Sequence, residues 1–194
     1  MTPEQFRQIW TANEDNLSPL SLDSIVGLNL KPSTVDFLTI AGLPFYAAPF
    51  LSFVQNKADS YNTINKLTKH YDFLEPEYDK YIVIGSCSDG DVIAVNTEDN
   101  DQIVWLDHED YFSSRFFNSS INSLLECLVI YRDFVQTIIK DNGEDAYMNT
   151  DFTDEQFETL KQKLAIADNK VITEDGFWKS DLEMELAMRE GNKK

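Results

Sequence analysis

The strongest constraint on this chain is a set of three short apolar runs, Tyr81-Ile-Val-Ile84, Val92-Ile-Ala-Val95 and Ile103-Val-Trp-Leu106. Turn-forming clusters separate them, from Gly85 to Asp91 and from Asn96 to Asp101. Short β-rich runs joined by brief polar turns predict an antiparallel meander. The runs are almost continuously apolar, so both faces of that sheet need cover, by helices on at least one side.

Helical patterns flank the meander. Over residues 2–12, Thr2 caps, Pro3 suits the first turn and Gln5 completes a T-x-x-Q box; Phe6, Ile9 and Trp10 are expected on one face. A second short helix is expected from Pro32, carrying Val35, Phe37, Leu38 and Ile40, with Gly42 as a left-handed cap and Pro44 barring continuation. Residues 49–54 read as a strand, whereas 13–31 and 55–65 read as irregular. After the meander, Asn118, Ser119 and Ser120 are cap residues for a long helix through Leu124, Leu128, Tyr131, Val135 and Ile138. Following a polar linker over 141–151, Thr153 and Gln156 form another capping box, with Phe152 and Phe157 at the staple positions. A last helix runs from about Phe177 to Glu190, with Trp178, Leu182 and Leu186 four apart. The expected fold class is α+β, a central antiparallel sheet flanked by helices. The chain reads as one domain over 1–194, with a core at about 20–140 and a helical C-terminal extension at about 151–190.

Composition bears on function more than on fold. With 13 Phe, 8 Tyr and 3 Trp in 194 residues, the chain has the material for a sizeable core. Its net charge of −18 repels phosphate backbones and anionic lipid, so neither nucleic acid nor membrane is an expected partner. The same field attracts basic proteins. Two distant cysteines, Cys87 and Cys127, make no disulfide framework and suit a reducing compartment. There is no basic segment followed by an apolar one at the N-terminus, and no window approaches the ~18 apolar residues of a membrane span. The expected location is the cytoplasm.

Candidate chemistry is weak throughout. Gly85-Ser-Cys-Ser-Asp-Gly90 has glycines near phosphate-loop spacing, but Asp91 stands where a lysine is required, so a tight turn is the better reading. Cys87 with His108 as base would be a nucleophile only in an electropositive setting, and its neighbours Asp89 and Asp91 are acidic. Asp107-His-Glu-Asp110 has metal-like composition but neither the histidine spacing of a zinc site nor the ordered acids of a calcium loop. No G-x-S-x-G elbow exists. No catalytic residue, cofactor or metal is therefore expected. What remains is charge placement. Asp89, Asp91, Glu98, Asp99, Asp101, Asp107, Glu109 and Asp110 fall mostly at the meander's turns, with no Lys or Arg among them. Alternate turns lie at opposite ends of a meander, so negative charge should mark both ends, as a docking surface for a basic protein.

The order of Gly42-Leu43-Pro44, the strand Tyr81–Gly85, Asp89-Gly90-Asp91 leading into Val92–Val95, Ile103-Val-Trp-Leu-Asp-His108 and a Ser-capped helix from Ser119 through Leu125 resembles the SUKH superfamily. The likeness covers about residues 20–140 and is nearest to the divergent bacterial subgroup with a Gly-Leu-Pro element. It implies an immunity protein, one that binds and neutralises a protein toxin by stoichiometric inhibition, often a nuclease or other nucleic-acid-targeting enzyme. It carries no toxin-contact residues over to this chain. Two other readings stay open: a regulatory or scaffold interaction module on the same fold, and an enzyme or metal-binding protein using Cys87, His108 and nearby carboxylates.

Overall fold

The meander forms where the spacing predicts it and gains a fourth strand. The computed structural model describes residues 1–14, 16–56, 63–87 and 90–192. In chain order, α1 (Pro3–Thr11) opens on the expected box, with the Thr2 hydroxyl accepting from Gln5 N and the Gln5 side chain accepting from Thr2 N. Phe6 and Trp10 are buried, but Ile9 is 42% exposed. One residue is roughly 100° of helix, so the position beside Trp10 turns off the core face. Strand β1 (Leu17–Ser18) and the single turn α2 (Leu22–Ile25) interrupt the segment expected to be irregular. Helix α3 (Pro32–Asp36) runs into a π turn, Phe37–Ala41. Gly42 then has φ +73° and ψ −176°, which leads straight into β2 (Leu43–Pro44) rather than closing a left-handed cap. A Cβ there would lie 2.3 Å from Ser18 carbonyl carbon, because β2 pairs closely with β1.

The remaining elements are β3 (Tyr46–Ala47), β4 (Leu51–Phe53), β5 (Asn65–Lys66), α4 (Leu67–His70), a 3-10 turn (Pro76–Lys80), β6 (Tyr81–Ser86), β7 (Val92–Asn96), β8 (Gln102–Asp107), a 3-10 turn (His108–Asp110), β9 (Ser113–Asn118), α5 (Ile121–Asn142), α6 (Asp154–Ala167), α7 (Lys170–Thr173) and α8 (Phe177–Asn192). The strand expected over 49–54 shortens to β4 because Phe50 sits at φ +55°, outside the extended region. The main sheet is antiparallel in the order β3-β4-β6-β7-β8-β9, and β5 shares the β6 edge with β4. Gly85 permits that sharing. A Cβ on it would lie 2.4 Å from Ser52 carbonyl oxygen, where β6 carries a register shift between Val83 and Gly85.

Side-chain alternation along the strands divides the core in two. One face carries Ile82, Ile84, Ile93, Val95, Ile103 and Phe117. It packs against α5, which begins on Ser120 accepting from Ser123 N and buries Leu124, Leu125, Leu128 and Tyr131. Phe157, Leu160, Leu164, Val171, Trp178 and Leu182 join this same cluster, so α6, α7 and α8 are built into the sheet's main core. Trp178 Nε1 donates to buried Asn118 Oδ1 at 2.9 Å, and Phe152 stacks on Phe157 at 5.2 Å as the staple predicts. The other face carries Tyr81, Val83, Val92, Ala94, Val104 and Leu106. Its cover is thin: Leu67 and Phe112, with Tyr71, Leu74 and Tyr78 partly buried over them.

Candidate docking surface

The meander's turns lie at its two ends, as the topology requires, and they use their acids differently. At one end, the β7–β8 turn holds Asp101 at 3% exposure. Its Oδ2 accepts from Lys31 N and Thr34 Oγ1, each at 2.7 Å, which fastens the turn to the start of α3. Glu98 and Asp99 are exposed, and Lys80 approaches Glu98 at 3.8 Å.

At the opposite end, the β6–β7 and β8–β9 turns meet. Asp91 is 8% exposed and accepts three hydrogen bonds: from Trp105 Nε1 at 2.8 Å, from His108 N at 3.0 Å and from His108 Nδ1 at 2.6 Å. The bond to Asp91 raises the His108 pKa above its ordinary value, outweighing desolvation. Asp107 accepts from Glu109 N at 3.0 Å and Asp110 N at 3.1 Å, capping the 3-10 turn that follows it. Asp91, Asp101 and Asp107 thus serve the fold, and Asp91 and Asp101 are too buried to meet a partner. A negative charge short of neighbouring cations is commonly read as surface, but a carboxylate is also the strongest acceptor for stray backbone N–H groups. Glu109 and Asp110 remain exposed here, as do Glu98 and Asp99 at the far end. Asp89 lies outside the described residues. The seven described acids are therefore divided between the two ends of the meander.

The Asp91 and Asp107 bonds set the path of the β8–β9 turn. Tyr111 takes φ 50° and ψ 38°, and Phe112 follows at φ 56°, two successive bulky residues in the left-handed region. Phe112 N donates to Asp107 O at 2.8 Å, and the Phe112 ring turns inward to meet Tyr71 at 4.6 Å. Tyr111 is turned outward and is 87% exposed. Facing it, Tyr78 Oη donates to Tyr111 O at 3.1 Å, and Phe73, 71% exposed, lies 6.4 Å from the Phe112 ring. A groove of about 370 Å³ runs between Glu77, Tyr78, Tyr81, Asp110 and Tyr111. Asp72, Glu75, Glu77, Glu109 and Asp110 are all exposed around this aromatic group. Sequence periodicity and motif spacing do not single out residues 66–80. The signal was there, in Tyr71-Asp-Phe-Leu-Glu-Pro-Glu-Tyr78, where aromatics alternate with acids.

Half-buried Cys87 packs against the main core, and burial pushes the Cys127 thiol up to about 12, where it is not a nucleophile. Among the described residues, no three His, Cys, Asp or Glu side chains gather in a way that could hold a metal ion. No described helix is long and apolar enough to cross a membrane.

A family model decides what these features belong to: that of the SUKH-4 immunity protein matches residues 14–184. The chain belongs to that family. The match takes in α6, α7 and the first half of α8 as well as the sheet, beyond the 20–140 covered by the sequence resemblance, in keeping with their shared core. No curated protein and no solved structure matches the chain. Membership gives the protein an immunity role, and that role implies a cognate toxin as its protein partner.

Proposed function

We propose that this immunity protein acts in the cytoplasm by binding a basic toxin, a nuclease or another nucleic-acid-targeting enzyme, in a stoichiometric, non-catalytic complex. The observation that carries this reading is the net charge of −18, with Glu98, Asp99, Glu109 and Asp110 exposed at the ends of the meander. An enzyme built to bind phosphates presents cations, and an acidic inhibitor is drawn to that surface and occludes it. Co-expression with the product of the adjacent gene tests the reading. Cells should survive that product only when this chain is present, and the two should co-purify at one to one. The association rate should fall steeply with salt, since the screening length drops from about 10 Å at 0.1 M to about 3 Å at 1 M. An association rate indifferent to salt would remove the charge-steering part of the reading. Rescue at substoichiometric levels would remove the stoichiometric part.

A further inference from the structure

We propose that the toxin docks on the thinly covered face of the sheet, with Tyr111 and Phe73 as its anchors and Asp72, Glu75, Glu77, Glu109 and Asp110 as its charged rim. The proposal rests on the toxin-binding reading above and names the surface that performs it.

Tyr111 is the first support. At 87% exposure it contributes almost nothing to the core. Its backbone is left-handed, where glycine or asparagine costs less than a bulky residue. Folding alone would therefore not favour tyrosine here. Its position is also fixed in advance. Asp107 caps the turn, Phe112 is inserted beneath Tyr71, and Tyr78 Oη donates to Tyr111 O at 3.1 Å. An aromatic side chain carried on a backbone already fixed before binding has only its own rotamers to lose on contact, which suits an interface anchor.

The second support is the company these rings keep. Among the exposed aromatics, Phe50 and Tyr46 each meet a single ring, whereas Phe73 meets two, Tyr71 and Phe112. Phe50 stacks on Tyr147 at 5.9 Å, and Tyr46 packs on Phe45 at 4.1 Å. Phe73 and Tyr111 flank one ring, Phe112, with a groove beside Tyr111 whose walls include Glu77 and Asp110. Glu77 and Asp110 line the groove, and Asp72, Glu75 and Glu109 are exposed within two residues of Phe73 or Tyr111 in the chain, whereas Lys80, the cation on the groove, is half-buried with its ammonium over the Tyr81 ring at 5.3 Å. Apolar anchors inside an anionic rim fit a basic protein surface, whose Arg and Lys side chains can lie across the rings and reach the carboxylates. Nucleic acid would be repelled by the same rim.

The test measures binding of the purified product of the adjacent gene, in a catalytically inactive form, to the full chain and to three variants. Tyr111→Gly relieves the backbone while deleting the ring. It should weaken affinity at least about 30-fold, chiefly through faster dissociation, with an unchanged or higher Tm. Phe73→Ser should act in the same direction. Neutralising Glu75, Glu77, Glu109 and Asp110 together should slow association about tenfold at low salt and leave dissociation nearly unchanged. Tyr111→Gly and Phe73→Ser each binding within twofold of the unaltered chain would overturn the proposal. So would a concentration-dependent dimer of the unaltered chain that Tyr111→Gly dissolves, since the face would then belong to self-association. If the unaltered chain itself failed to bind, the toxin-neutralising reading would fall, and this proposal with it.

Discussion

The two faces of the sheet are made from the same strands and differ in what covers them. Ile82, Ile93, Val95 and Ile103 face α5 and, through Phe117 and Trp178, the C-terminal helices, in a cluster that runs from Phe6 to Leu182. Val83, Val92, Val104 and Leu106 point the other way, under one short helix and a few rings. A deep, interlocked core cannot lend its side chains to a partner without unfolding. A thin cover can leave aromatic rings half in water at little cost, and those rings become available for binding. The first face accounts for stability, and the second is where recognition is proposed.

One substitution made on both faces gives the largest effect. Leu124 in α5 and Leu106 in β8 are both fully buried. Leu124→Ala should cost about 3–5 kcal/mol, because packed helices on the far side cannot collapse into the gap. Leu106→Ala should cost about 2–3 kcal/mol, because the cover above it can settle. Urea unfolding with an unchanged m-value measures both. Equal losses would mean that the outer cover is as firmly packed as the inner.

The next effect comes from acids buried on the inner side. Asp181 and Glu185 are one turn apart on α8, and Tyr131 Oη donates to Asp181 at 2.9 Å. Burial pushes the Asp181 carboxyl up to about 7, with the Glu185 charge adding to it and the Tyr131 bond opposing, and burial alone pushes Glu185 up to about 7. The folded chain therefore holds protons that the unfolded chain releases near pH 4, so stability should fall as pH rises from about 4 to about 7. Asp181→Asn should flatten this slope and raise the Tm at pH 8. A wild-type Tm that climbs over the same range would show that these carboxyls are not buried as described.

Much of this was legible in the sequence, for a local reason. Capping boxes at Thr2 and Thr153, the Phe152–Phe157 staple and the turns of the meander are fixed by residues a few positions apart. What the sequence concealed depends on distant partners. Asp101 reads as a surface charge until Lys31, 70 residues away, is seen to donate to it. Asn118 reads as a helix cap, but its side chain is used 60 residues further on by Trp178, and Ser120 takes the cap. Strand β9 begins with the polar Ser113-Ser-Arg115 and buries only Phe117 and Asn118, too short a pattern to announce itself. The acidic turns place Glu109 and Asp110 at the end of the sheet where docking is proposed, whereas the aromatic segment opposite them shows itself only once Phe112 is seen meeting Tyr71 and Phe73.

The smallest effect separates the faces by pH. On the outer side, His108 has its pKa raised by its bond to Asp91, the reverse of a buried acid in chemistry but not in sign. A histidine whose folded pKa exceeds its unfolded value stabilises fully below about pH 6.5 and loses that contribution as pH rises through the folded value. The inner acids should thus have spent their effect by about pH 7, while the His108 contribution begins to fade only near there. In an Asp181→Asn, Glu185→Gln background, the residual loss of Tm above pH 6.5 should be small and should vanish on adding His108→Asn. The same loss should reach the β8–β9 turn, where Asp91 bonds to both the ring and the backbone of His108. Hydrogen exchange of the Tyr111 and Phe112 amides should therefore quicken between pH 6 and 8 beyond its intrinsic pH dependence, while exchange in α5 should show no such excess. An equal excess in α5 would mean that the two faces open together, and that the thin cover is not the weaker part of the fold.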